Sequence, residues 1–406
     1  MFKKIMLIGL LALVGCQSTI GTGQLTEVPA DKQEVFDPHK PKEPLDLSEA
    51  EVLAYQQFVD VTTKYLLNDL NANENMVYSP MSFFLAMSML EPIAFEQSLA
   101  ELSAGLGQQD LQKVSQAMVK SLTFNNQVGR SFVANSLWFQ KGLAFNQQRL
   151  LAIANQFKAE SLEVDFTDKE KTQQLMNDWI NKKTENFIKE VDVDLDARTV
   201  LALINTIYFK DAWVEKFHEE LTTKDEFTQG NGSKVQVDFM NQRFFGMGYV
   251  QTDTYQAVAN RLHNGGVMYF VLPNDRVSNV EFDWQEPLKY ELINWSIPKF
   301  DLSSTHKLVP VAKALGIEQL FDESTADLRP FEADADRAVI TNISQQARLS
   351  IDEAGVEAAA YTIIEAAPTS AQPQEPIDLI FDRPFMTILT DGHGLVLFVG
   401  WVNTIE

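Results

Sequence analysis

The residue types that usually carry chemistry do not fall at catalytic spacings in this chain. There is no G-x-S-x-G elbow to raise a nucleophilic serine, no H-E-x-x-H pair to hold zinc, and no G-x-x-x-x-G-K-[ST] loop to cradle phosphate. The five histidines, His39, His218, His263, His306 and His393, are scattered without metal-ligand spacing. Asp192, Asp194 and Asp196 imitate the start of a calcium loop. Ala197 stands where that loop needs glycine and Leu203 where it needs glutamate, so a solvated acidic turn is expected. No metal and no cofactor is implied. Carboxylates are abundant, so a hydrolytic pair assembled by the fold stays open as a reading.

One segment is patterned differently: Glu353-Ala354-Gly355-Val356-Glu357-Ala358-Ala359-Ala360-Tyr361-Thr362-Ile363-Ile364-Glu365-Ala366-Ala367-Pro368-Thr369-Ser370. If extended, Val356, Ala358, Ala360, Thr362, Ile364 and Ala366 make one face that is small or apolar throughout, with Glu357 and Glu365 on the other. Such a segment could add itself to a sheet with one side buried. Glu-Ala-Ala-Ala is also a good helix former, so an exposed Ala-rich helix is the competing reading.

These residues need a frame. Ser48-Glu49-Ala50-Glu51 has capping-box spacing, and Val52, Tyr55, Val59 and Leu66 share a helical face, which predicts a first helix. Helical spacing recurs over Met81 to Leu90, Phe145 to Phe157 and Leu175 to Ile188. Phe132 to Phe139, Val267 to Leu272 and Ala338 to Ile351 predict strands; Leu201 to Phe209 is apolar on both parities, as a central strand covered on both faces should be. Ile377 to Phe381, Phe385 to Leu389 and Leu395 to Val402 are strand-like, the last two joined by Asp391-Gly392-His393-Gly394, a hairpin signal. Helices early and strands late give an α+β class around a large sheet. Between Ile351 and Ile377 lie about 25 residues rich in Ala and Pro, a length that in a compact domain is usually functional or disordered.

Composition narrows the partners. A chain of 406 residues with 45% apolar content can bury a large core. Its 33 Lys plus Arg against 56 Asp plus Glu, a net charge of −23, argue against nucleic acid. Cys16 is the only cysteine, so no disulfide framework is expected. It ends a leader made of Lys3 and Lys4, an apolar stretch from Ile5 to Val14 too short to span a bilayer, and Leu13-Val14-Gly15-Cys16. This leader resembles a bacterial lipoprotein signal. The resemblance implies a signal peptide over 1–15, lipid on Cys16 and a cell-envelope location on a membrane face. Gln17, where aspartate would favour inner-membrane retention, leans to the outer membrane, periplasmic or surface-exposed. Residues 16–46 then form a tether marked by Pro29, Pro38, Pro41 and Pro44.

The patterned segment and its surroundings closely resemble the reactive-centre region of serpins, the serine protease inhibitors. Asn75-Met76-Val77-Tyr78-Ser79-Pro80-Met81-Ser82 is similar to the family's early helix motif, and Val133-Ala134-Asn135-Ser136-Leu137-Trp138 to a strand of its main sheet. Asn177-Asp178-Trp179-Ile180 with Thr184, Leu203 to Trp213, Ile297-Pro298-Lys299-Phe300, Leu315-Gly316, Phe381-Asp382-Arg383-Pro384-Phe385 and Leu397-Phe398-Val399-Gly400 follow in the family's order.

The resemblance implies a single domain over 47–406 in the serpin fold: a large central β-sheet, two smaller sheets, eight to nine helices and an exposed reactive-centre loop. It implies a monomer that is not an enzyme but a suicide-substrate inhibitor, covalently holding a serine protease while its cut loop inserts into the main sheet. Carried onto this sequence, the reactive bond is Thr369-Ser370, with Ala367 or Ala371 as alternatives because Ser370 to Arg383 is about four residues longer than in common members. The hinge is Glu353, Gly355, Val356, Glu357, Ala358, Ala359 and Ala360, with Gly355 expected to supply backbone freedom. The polar cluster under the sheet opening is Ser79, Ser82 and Asn205, with Gln345 where the family usually has histidine, and Trp213 lies near the loop's point of entry. Asp211 and Asn186 stand where glycine is usual and are read as neutral. The uncharged face from Val356 to Ala366 favours an inhibitory member. Ala366-Ala367-Pro368 before a small residue favours elastase-like or subtilisin-like targets, and the lack of Lys or Arg between Arg348 and Arg383 disfavours trypsin-like ones. The alternatives are a non-inhibitory serpin acting as a binding or scaffold lipoprotein, and an inhibitor of cysteine proteases.

Overall fold

The computed structural model describes residues 44–188, 199–275, 281–284, 286–333, 336–356 and 375–406. In chain order the described α-helices are α1 (Glu49–Asn68), α2 (Pro80–Ser88), α3 (Glu96–Gly105), α4 (Leu111–Leu122), α5 (Gln147–Phe157), α6 (Lys169–Lys183) and α7 (Val309–Ala314). The strands are β1 (Met76–Tyr78), β2 (Phe124–Asn125), β3 (Gly129–Gln140), β4 (Glu160–Val164), β5 (Leu201–Ala212), β6 (Thr223–Thr228), β7 (Lys234–Gln251), β8 (Tyr255–Arg261), β9 (Val267–Pro273), β10 (Lys289–Pro298), β11 (Phe300–Lys307), β12 (Ser344–Ile351), β13 (Gly355–Val356), β14 (Ile377–Ile380), β15 (Phe385–Thr390) and β16 (Val396–Val402).

Helix α1 starts where its capping box lies: Glu51 N donates to Ser48 Oγ at 3.3 Å and Ser48 N to Glu51 Oε2 at 2.7 Å. Tyr55, Phe58, Val59 and Thr62 then form its buried stripe. Helix α2 is buried nearly all round and runs through the core, begun by Ser79 as N-cap and Pro80 at its first position.

Two sheets cover this core. One is ordered β11-β12-β13-β5-β3-β2, with β4 also on β3; the other is ordered β1-β16-β15-β9-β8-β7-β10-β14, with β6 on β7. The two smaller sheets expected from the resemblance are continuous by hydrogen bonding, because β7 is 18 residues long. Lys234 to Phe239 pair with β6 and Gly248 to Gln251 with β8, while β10 lies against the stretch between, from Phe239 to Tyr249. Among the described residues the α-helices number seven, against the expected eight to nine.

Two strand expectations change in detail. Residues 338–343 are not strand, and β12 begins only at Ser344. In β5, Ala202 to Asn205 are half-buried rather than covered on both faces. A cavity of about 80 Å³ lies beside them, bounded by Leu90, Ile180, Leu203 and Ile340.

Candidate functional site

At the top of the first sheet, β12 ends at Ile351 and the chain turns through Asp352, whose Oδ1 accepts from Ala354 N at 2.8 Å. It re-enters as β13. Gly355 pairs with Ala212, and Val356 with Asp211 on one side and Ile351 on the other, antiparallel to both neighbours. β5 and β12 therefore run parallel, and the two residues of β13 are the only described strand between them.

The turn is gripped from several sides. Trp213 N donates to Ala354 O at 3.0 Å, Trp213 Nε1 to Asp352 O at 3.0 Å, and Phe217 N to Glu353 O at 3.1 Å. Glu353 is buried; its Oε1 meets Lys299 Nζ at 2.6 Å and accepts from Thr222 Oγ1 at 2.6 Å. Burial pushes this carboxyl up, but the bonds from Lys299 and Thr222 outweigh it and hold it below its ordinary value.

Lower down, the N-terminus of α2 meets β12. Gln345 clasps the Ser79 backbone, accepting from Ser79 N at 2.8 Å and donating through Nε2 to Ser79 O at 2.9 Å. Ser79 Oγ donates to Leu397 O at 2.7 Å while accepting from Ser82 N at 3.2 Å. Ser82 Oγ reaches Asn205 O at 3.4 Å, and Asn205 Nδ2 donates to Asn135 Oδ1 at 2.6 Å. His306 of β11 stands opposite Gln345 in the register, its Nε2 at 2.9 Å from Val77 O. Burial lowers its pKa, partly offset by that bond.

A family model described as Serpin (serine protease inhibitor) matches residues 59–405. The chain belongs to the serpin family. It is 29% identical over 346 residues to Alpha-1-antitrypsin of Meriones unguiculatus, covering 81% of this chain and 84% of that protein. It is 31% identical over 356 residues to Iripin-2 of Ixodes ricinus, covering 81% and 88%. The structure of Tengpin, a thermophilic serpin in the native state, matches with a TM-score of 0.77 at 23% identity over 93% of this chain and 99% of that one, a likeness of fold.

In this serpin the structure brings Glu353, Gly355, Val356 and Trp213 together at one point, and Ser79, Ser82, Asn205 and Gln345 into one network. Glu357, Ala358, Ala359, Ala360, the Thr369-Ser370 bond, Ala367, Ala371, Cys16 and the acidic turn at Asp192, Asp194 and Asp196 lie outside the described residues. Asn135 and Lys299 stand in motifs the sequence singles out, but neither is marked there as a member of the site, and nothing in the local spacing of Thr222 or His306 sets them apart. Asp211 is not a neutral replacement. It is buried and accepts from Ala212 N, Asn264 N and Asn264 Nδ2, each at 2.9 Å, tying β5 to the β8–β9 turn beside the hinge. Asn186 has φ 64°, a left-handed conformation that asparagine tolerates better than most residues.

Proposed function

We propose that this serpin inhibits serine endopeptidases that cut beside small residues, elastase-like or subtilisin-like, by offering residues 357–374 as substrate and inserting the cut strand between β5 and β12 before the acyl-enzyme hydrolyses. The observation that carries this reading is β13, where Gly355 and Val356 pair with β5 and Val356 also pairs with β12. Insertion must outrun deacylation, and a strand whose first residues are in register needs only to extend. Each further residue adds ladder hydrogen bonds of about 0.5–1.5 kcal/mol. The continuing sequence places Ala358, Ala360, Thr362, Ile364 and Ala366 on the parity of Val356, so no charge has to be buried.

The test mixes residues 17–406 with elastase-like and subtilisin-like proteases and separates the products on a denaturing gel. A covalent adduct with release of a C-terminal peptide beginning at Ser370 is expected. Cleavage without adduct, for every such protease, sinks the inhibitory reading in favour of a non-inhibitory member.

A further inference from the structure

Residues 357–374 lie outside the described residues, and the chain is strand again from Ile377 of β14, which lies opposite Ile293 of β10. The outer face of β7, β10 and β14 beside that junction is built unlike an ordinary solvated surface. Ile293, Trp295 and Ile297 point inward and are buried, so Asn294 and Ser296 point out, flanked in register by Arg243 and Asn241 on β7 and by Asp378 and Ile380 on β14. A polar ladder crosses the three strands: Arg243 Nε donates to Asn294 Oδ1 at 2.7 Å, and Asn294 Nδ2 to Asp378 Oδ1 at 2.6 Å.

Next to this ladder the register slips. Phe245 and Gly246 together oppose the single residue Leu292, a β-bulge whose Gly246 has φ 68°. Phe244 and Met247 stay buried while Phe245 is turned out, 63% exposed; Tyr290, on the same face two residues from Leu292, is 72% exposed. They are the exposed large aromatics among the described residues, and Ile380, 50% exposed, shares their face. Bulges re-aim side chains, and aromatic groups of this kind are the usual anchors of protein interfaces.

The geometry points to this face as a docking surface for the body of the protease engaged on residues 357–374, an inference that rests on the inhibitory reading above. Tyr290 is three residues from Ile293, about 10 Å along the strand. A protease of 200 residues has a radius of gyration of about 16 Å, so an enzyme holding the segment that ends beside Ile377 overhangs Phe245 and Tyr290. Contacts there slow dissociation of the encounter complex. In an irreversible reaction that raises the fraction of encounters reaching acylation, and so the second-order rate rather than the stoichiometry.

The experiment compares Phe245→Ala combined with Tyr290→Ala against the parent, using an elastase-like protease. The rate constant for adduct formation should fall about tenfold, with stoichiometry and thermal unfolding unchanged, and Phe245→Trp should keep the parent rate. A double variant that forms adduct at the parent rate overturns this inference and leaves the inhibitory reading standing; no adduct from the parent itself overturns both. Self-association of the parent that disappears in the double variant assigns the face to a second copy and also overturns the inference.

Discussion

A Cβ placed on Gly355 would run into the Asp211 carbonyl oxygen and stand 2.8 Å from the Ala212 Cα. Both obstacles are backbone of β5, and the Asp211 side chain is itself fixed by Asn264, so the strand has little room to yield. Gly355 is extended, in β13, and is not one of the glycines with positive φ. Close approach of two strands therefore demands glycine here.

Gly355→Val should therefore push β13 out of the sheet. The expected cost is about 1–3 kcal/mol in denaturant unfolding. With the strand no longer started, deacylation wins and the gel should show cleaved serpin in place of adduct. A variant with parental stability and parental adduct yield would contradict the close approach.

The Lys299–Glu353 pair makes a pH-dependent prediction. Because the folded pKa of Glu353 lies below its ordinary value, its contribution is complete above the unfolded pKa of about 4.3 and fades as pH falls through the folded value. Lys299→Ala leaves a buried carboxylate without its cation. The loss should be about 1–3 kcal/mol at neutral pH, reduced from the range for a fully buried pair because the Lys299 side chain is 37% exposed. Protonation relieves the unpaired charge, so the gap between variant and parent should narrow below about pH 5. Unfolding curves between pH 4 and 8 check this; a gap independent of pH would refute it.

What the sequence made legible were features carried by local periodicity. The capping box at Ser48, the apolar run of β5 and the Asp391 hairpin turn appear where spacing put them, because each depends on neighbours within a few residues. The junction of the smaller sheets was not legible, since it turns on the bulge at Phe245 and Gly246 breaking the alternation of one long strand. Nor were the partners of the site. Ser79 and Gln345 are 266 residues apart, and no pattern along the chain predicts that an amide will clasp that particular backbone. Gln345 stands where the family usually has histidine, and no local pattern shows that His306 stands opposite it on the next strand.

That histidine gives the joint of β1, β11 and β12 a titration of its own. His306 sits edge-on to Tyr78 at 6.2 Å, and the bond to the Val77 carbonyl requires a proton on Nε2. A second proton places a charge in a largely buried site, so the folded pKa lies below the ordinary value of about 6.5. Between the folded and the unfolded pKa the unfolded chain takes the proton more readily. Stability is thus full above about pH 6.5 and declines as pH drops below it, until the folded pKa is reached. His306→Gln, which can still donate toward Val77 but does not titrate, should flatten the fall in denaturation midpoint between pH 7 and 5. The contribution of Glu353 changes only at lower pH and does not overlap this window. Equal slopes for parent and His306→Gln would show that the histidine is not what weakens this joint in acid.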